Sequence, residues 1–322
     1  MKRICSVFAM ILMFSGLLPC TVQAQELLIP VGCMIGLHVS DDTVAVAAFD
    51  DVLGSTAREA GLQIGDELVE IQGQPVDRAQ DVRDILLNSP EEVTLLISRG
   101  SKRRSVHMTP QCTDSGPRLG VYLRQGVSGI GTVTWYDPDS NRFGSLGHGV
   151  SDRKGILAPM REGKVYPAVI TSVVPGKSGQ PGFLKGNADS TCCTGTLQKN
   201  TPQGVFGKSQ TGWPGEPLPV ASFDQAHTGP AAILSTVSGS DPREYSVEIL
   251  KIYPVDRKDS RNFLLKVTDP QLLAATGGIV QGMSGSPVIQ DGRIVGAVTH
   301  VLVNDPTVGY GIFIENMLKA AA

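Results

Sequence analysis

Gly282-Met283-Ser284-Gly285-Ser286-Pro287 leads directly into the β-branched pair Val288-Ile289. A serine hydroxyl is a weak nucleophile, so a base must take its proton. Two backbone N–H groups must also face the oxyanion that develops on the attacked carbonyl. A tight glycine-rich turn meets the second need. Gly282 and Ser284 can supply the two donors, because Gly282 tolerates backbone angles that other residues resist. Gly285 leaves room beside the hydroxyl, and Pro287 opens the next strand without needing an N–H. Such turns also occur as plain structure, so the base decides the reading. Beyond the leader the histidines are His38, His107, His148, His227 and His300. Of these, His148 alone stands between glycines at the end of a strand-like run, Gly144–Leu146, where a side chain can reach into a cleft. It lies far upstream of Ser284, an order that suits a base on one barrel and a nucleophile on another.

The sequence around these residues is built of short strands. In 322 residues there are 37 glycines and 21 prolines, while aromatic residues are 5%, which favours many turns and short strands over long helices. Strand-like runs recur at 121–123, 130–135, 168–174, 231–235, 247–252, 263–267, 294–299 and 311–314, with a helical stripe only over the last residues, 315–321. This is the pattern of an all-β barrel or sandwich. Hydrophobic residues at 41% against 18% charged exclude a disordered chain, and a net charge of −3 gives no basic field for nucleic acid. The length suggests two domains. Thr113-Asp-Ser-Gly-Pro117, a polar turn-forming break, is the natural linker between them.

The N-terminus has the form of an export signal. Lys2 and Arg3 precede an apolar run, Val7–Leu18, and then Thr21-Val-Gln-Ala24. Residues 1–24 are expected to be a signal peptide or an N-terminal anchor, placing the protein across the cytoplasmic membrane, secreted or tethered. In that compartment Cys33, Cys112, Cys192 and Cys193 can oxidise, and a Cys33–Cys112 bridge is plausible. No zinc-type spacing appears, so neither a metal nor a cofactor is expected.

Ser55-Thr-Ala-Arg-Glu-Ala-Gly-Leu-Gln-Ile-Gly-Asp-Glu-Leu-Val-Glu-Ile-Gln-Gly73 resembles the signature of PDZ domains. Around it, Ser55 can cap a helix over 56–60. Asp77, with Gln80, can cap a second whose stripe is Val82, Ile85 and Leu86. A PDZ domain over 28–112 implies peptide capture by strand addition. The local candidate for a carboxylate-holding loop is Gly32, Cys33, Met34, Ile35 and Gly36. GMSGSP in turn resembles the GDSGGP turn of chymotrypsin-like serine proteases, with Ser284 aligned to the nucleophile. The expected fold is therefore mainly β: an N-terminal PDZ domain (α+β), a linker over 113–117, and a chymotrypsin-like double β-barrel peptidase domain over 118–322.

A closer resemblance rests on Leu119-Gly-Val-Tyr-Leu-Arg, Gly129-Ile-Gly-Thr-Val-Thr-Trp-Tyr-Asp-Pro, Leu146-Gly-His-Gly-Val-Ser-Asp, Lys199-Asn-Thr-Pro-Gln-Gly-Val-Phe-Gly, and Thr276-Gly-Gly-Ile-Val-Gln-Gly-Met-Ser-Gly-Ser-Pro. Together with Ala297-Val-Thr-His-Val-Leu-Val-Asn-Asp-Pro, these look like the stage IV sporulation protein B (SpoIVB) peptidase family. That resemblance implies an exported serine endopeptidase of the intermembrane space of the developing spore. It would cut its own N-terminal region and a partner that restrains an intramembrane protease, leading to sigma-factor activation. It also implies His148 as base, Ser284 as nucleophile and Asp269 as the acid that steadies the histidine. Asp269, in Thr-Asp-Pro before 271–275, is the preferred acid; its competing reading is a helix cap, and Asp152, Asp224 and Asp241 remain alternatives. Substrates would be proteins or peptides, not nucleic acid. An HtrA-like quality-control protease and a PDZ protein with an inert peptidase domain are the competing readings.

Overall fold

Two long antiparallel strands, Met34–Phe49 and Val121–Asp137, organise the whole chain. The computed structural model describes residues 26–89, 91–152 and 155–322, so the expected leader lies outside them. The two strands pair in two stretches. Met34–Val39 runs against Val127–Thr132, and Val44–Phe49 against Val121–Gln125. Between the stretches the register slips, and Gly126 takes a φ of +76°. A Cβ on Gly126 would lie 2.0 Å from the Val39 carbonyl oxygen, so only glycine fits this kink. The Asp41 carboxylate accepts hydrogen bonds from the Thr43 N–H and hydroxyl, closing the facing bulge.

On one side of the kink the ribbon belongs to a closed six-stranded barrel. Its other strands are Arg142–Ser145, Gly204–Ser209, Gly195–Thr201 and Glu162–Val174. Ile29, Val31, Ile35, Leu37 and Val39 pack here against Val133, Phe143, Val165, Leu197 and Val205. On the other side the ribbon joins Glu67–Ile71, Val93–Arg99 and Lys102–Met108, with helices Gly54–Glu59 and Ala79–Leu87, around a separate core. Val82, Ile85 and Leu86 are the buried stripe of the second helix, as expected. Its cap differs: the Asp81 carboxylate accepts from the Asp77 and Arg78 N–H groups, and Arg78 is the first cap residue.

The PDZ-like body is therefore an insertion into the first barrel rather than a module ahead of it. Residues 28–40, assigned from sequence to the PDZ domain, form barrel strands, because their alternate side chains complete the barrel core. Residues 113–117 form the tip of a small hairpin, Gln111–Thr113 with Gly116–Arg118, rather than a linker. Cys33 and Cys112 consequently stand in different bodies, and both are free thiols.

The second barrel closes through Gly229–Ser235, Arg243–Ile252, Phe263–Val267, Asp305–Phe313, Arg293–Leu302 and Pro287–Gln290. Ile233, Ile249, Phe263, Leu265, Val288 and Val298 fill its interior. The terminal helix Ile314–Ala321 seals the seam between barrels. Ile314 and Met317 are buried with Leu28, Trp135 and Phe206 of the first barrel and Ile294, Ala297 and Ile312 of the second. Nonpolar burial of this kind gives roughly 25 cal/mol per Å², which holds the two barrels in fixed relation.

Candidate active site

The turn Gly282–Pro287 lies at the barrel seam and is held from both sides. Thr132, on the long strand of the first barrel, donates its hydroxyl to the Gly282 carbonyl at 2.8 Å and its N–H to the Ser284 carbonyl at 3.2 Å. Thr134, two residues on and on the same face, donates its hydroxyl to the Gly285 carbonyl at 2.8 Å. From the second barrel, Val298 O accepts the Gly285 N–H at 2.8 Å. Gly285 takes a φ of +97°, and a Cβ there would meet Thr132 O at 2.1 Å. Both the clamp and the approach of the two barrels therefore require glycine at this position.

The same clamp leaves the anion-binding groups open. Met283 donates its N–H to Val280 O, and Gly285 and Ser286 also spend theirs within the turn or its neighbours. The N–H groups of Gly282 and Ser284 take no hydrogen bond among the described residues. Both residues line a cleft of about 410 Å³, together with His148, Gly149, Leu37 and Ile130. Two free donors beside a serine hydroxyl form the arrangement that an oxyanion needs.

His148 reaches the cleft from the segment after strand Arg142–Ser145, where Leu146 adopts a left-handed φ of 68°. Its Nδ1 lies 3.0 Å from the Gly149 carbonyl oxygen. A carbonyl can only accept, so Nδ1 carries the proton and Nε2 keeps the lone pair that a general base uses. Burial pushes the His148 pKa below its ordinary value, only partly offset by the Gly149 hydrogen bond. The ring is therefore neutral near pH 7, as a base must be before reaction. Ser284 Oγ donates to Thr299 O at 2.8 Å in this state. The hydroxyl must turn from Thr299 toward Nε2 for proton transfer.

The structure does not bring Asp269 to this site. Asp269 is the N-cap of helix Pro270–Thr276: one oxygen accepts from the Gln271 and Leu272 N–H groups at 2.9 Å, and the other from Ser246 N at 3.4 Å. The turn preceding a proline-started helix is where an aspartate caps best. The Asp269 carboxylate is thus engaged as a helix cap, and no hydrogen bond or ion pair links it to His148 among the described residues. Of the alternatives, Asp152 accepts the Ile156 N–H and closes its own turn, while Asp224 and Asp241 accept neighbouring serine hydroxyls.

What holds the histidine segment is Asn200, which sequence reasoning missed. From the end of strand Gly195–Thr201 its Oδ1 accepts the Val150 N–H at 2.9 Å. Its Nδ2 donates to Val150 O and Ala158 O at 2.9 and 2.8 Å. Three bonds from one half-buried amide fix the backbone two residues after His148. The local sequence Lys-Asn-Thr-Pro carried no sign of these long-range partners.

The loop Gly32–Gly36, expected to hold a peptide carboxylate, is elsewhere. Gly32 donates to Val133 O, and its carbonyl accepts the Thr236 N–H and hydroxyl from the second barrel. Cys33 O accepts the Val133 N–H, and burial, with Asp241 nearby, pushes the Cys33 thiol up to about 11. Met34, Ile35 and Gly36 are paired in the barrel ladder. Their polar groups are spent on the barrels, which overturns the loop assignment. A groove of about 200 Å³ lies instead between helix Ala79–Leu87 and the start of strand Val121–Asp137, lined by Val82, Arg83, Leu86, Arg118, Leu119, Val121 and Leu123. The run Leu119-Gly-Val after the module was the signal that could have placed it.

Residues 116–318 match the family model of SpoIVB peptidase S55, and residues 52–99 match a PDZ domain model. The chain belongs to the SpoIVB peptidase S55 family. It is a chymotrypsin-like serine peptidase carrying a PDZ domain. Among curated proteins, a putative zinc metalloprotease of Rhizobium meliloti is 38% identical over 98 residues, 30% of this chain and 25% of that protein. A putative zinc metalloprotease of Bartonella henselae is 26% identical over 104 residues, 30% of this chain and 28% of that protein. The chain thus spans about a quarter of the length of these relatives. Among solved structures, the active form of the Rv3671c protease from M. tuberculosis aligns with a TM-score of 0.38 and 16% identity, covering 60% of this chain and 73% of that one. The PDZ domain of an SdrC-like protein from Listeria monocytogenes aligns with a TM-score of 0.23 and 22% identity, covering 26% of this chain and 87% of that one.

Three outcomes follow for this S55 peptidase site. Because burial lowers the His148 pKa, its base form persists below the ordinary value of about 6.5. The acid limb of kcat/KM has its midpoint below that value, and activity is lost as pH falls through it. A midpoint at or above 6.5 would contradict the assignment. Asn200→Ala lowers kcat by roughly tenfold with KM little changed, since the histidine segment loses its anchor. Asp269→Asn stays within about threefold of wild type, because asparagine caps a helix as well as aspartate does. The reverse ranking in a steady-state assay would mark Asp269 as the acid.

Proposed function

We propose that this peptidase is an exported, self-cleaving endopeptidase of sporulation signalling. It would cut its own N-terminal region, and then a membrane-associated partner that restrains an intramembrane protease, so that a sigma factor is activated. The observation that carries endoproteolysis is the convergence of His148, Ser284 and the free N–H groups of Gly282 and Ser284 on one open cleft. Membership of the SpoIVB peptidase family supports the sporulation role. The basic start and apolar run of residues 2–18 support export.

The chemistry at the cleft is acyl transfer. Ser284 Oγ attacks the scissile carbonyl while His148 Nε2 takes its proton, and the Gly282 and Ser284 N–H groups hold the oxyanion. His148 then gives the proton to the leaving amine, and water repeats the sequence on the acyl-enzyme. The groove beside helix Ala79–Leu87 supports a docking role for the PDZ-like body, with a peptide adding alongside Val121–Leu123.

N-terminal sequencing of the chain made with Ser284 intact and as Ser284→Ala tests the self-cleaving reading. The intact protein yields a terminus beyond the leader boundary that the variant lacks. Identical termini in the two preparations would overturn self-cleavage.

A further inference from the structure

The outer face of the second barrel carries a row of rings and cations that begins at the catalytic histidine. The His300 ring lies 5.6 Å from that of His148. His300 directly follows Thr299, whose carbonyl accepts the Ser284 hydroxyl. Its partner on the adjacent strand is Tyr310, and the Tyr310 ring lies 6.4 Å from Tyr253. Each tyrosine carries cations on its face. Arg261 stands 5.0 Å over Tyr310, while Lys251 and Arg257 stand 5.1 and 4.6 Å over Tyr253. Stacking on an aromatic face holds a cation without neutralising it.

The charges on this face are unequal. Arg257 is spent on Asp259, its Nε 2.6 Å from one carboxylate oxygen and its second nitrogen 3.0 Å from the other. Lys251 and Arg261 form no ion pair among the described residues, in a protein whose net charge is −3. His300 adds no charge of its own near neutral pH. Burial, then the neighbouring His148 and Arg261, push its pKa down to about 4. The row is thus an uncharged ring beside the base, followed by two tyrosines bearing three cations against the Asp259 carboxylate, which pairs with Arg257 and also lies within Coulombic reach of Arg261.

We propose that this row is a substrate ramp that selects acidic polypeptide: Asp or Glu side chains on one flank of the cut bond would pair with Arg261 and Lys251. The chain of the substrate would lie over His300, Tyr310 and Tyr253. The proposal rests on the endopeptidase reading above and names the substrate class of that site. Steps of 5.6 and 6.4 Å between neighbouring rings correspond to about two extended residues each. The occupant is a partner rather than this chain's own leader, because residues 1–25 contain no Asp or Glu.

Cleavage-site profiling with the full chain and a mixture of peptides from a digested proteome tests this without knowing the bond. Aligned wild-type cuts show Asp and Glu enriched roughly threefold to tenfold within about five residues on one side of the cut. The enrichment shrinks in high salt, because the pairs are exposed. Lys251→Glu with Arg261→Glu removes or inverts it, while cuts in peptides without acidic residues continue, which shows that the variant is folded and active. The milder Lys251→Gln and Arg261→Gln pair lowers the enrichment without inversion. Wild-type cuts lacking acidic enrichment, or enrichment unchanged in both variants, would overturn the ramp alone. Absence of any Ser284-dependent cut would overturn the endopeptidase reading, and the ramp with it.

Discussion

The hydroxyl of Thr132 on the carbonyl of Gly282 is the contact on which the rest of the structure depends. It belongs to strand Val121–Asp137, whose Thr132 N–H and Thr134 hydroxyl also hold carbonyls of the nucleophile turn. Buried carbonyls must be satisfied. The bonds from Thr132 fix the Gly282–Met283 and Ser284–Gly285 peptide planes, which flank the peptide carrying the Ser284 N–H, and they leave the Gly282 and Ser284 N–H groups without partners among the described residues, beside the cleft. Ser284 comes from one barrel and His148 from the other, and this strand sets the register between them.

That strand has a second role at its other end. Val121 and Leu123 form one wall of the groove beside helix Ala79–Leu87, while Gly129 and Ile130 line the catalytic cleft. One continuous element thus runs from the PDZ-like groove to the oxyanion donors, kinked at Gly126. The insertion keeps both ends of the PDZ-like body paired to the peptidase. The body is tied by a two-stranded ribbon rather than hung on a single linker, which limits its freedom to swing.

Much of this was legible in the sequence. The turn at 282–287, the glycine-flanked His148 and the strand-rich pattern carry their own physical logic, and the structure gathers His148, Ser284 and Gly282 into one cleft. The insertion was not legible. Met34–Phe49 is a single strand serving two bodies, so its alternation gives no break where one core ends and the next begins. Only Gly126 marks the kink, and a lone glycine has many explanations. The Thr-Asp-Pro run of Asp269 already read as a helix cap, and its carboxylate is engaged as one. Asn200 had no local signature, because its partners, Val150 and Ala158, lie far away in sequence. The loop at 32–36 misled for the same reason as the domain boundary: its glycines serve barrel contacts that a reading confined to the PDZ signature could not contain.

The most direct test of this account is the steady-state kinetics of Thr132→Val, a near-isosteric change that removes only the hydroxyl to Gly282 O. The account predicts a loss of roughly ten- to a hundredfold in kcat with KM little changed, because the oxyanion donors lose their alignment while the substrate surface remains. A folded Thr132→Val protein with wild-type kcat would contradict the claim that this strand sets the catalytic turn.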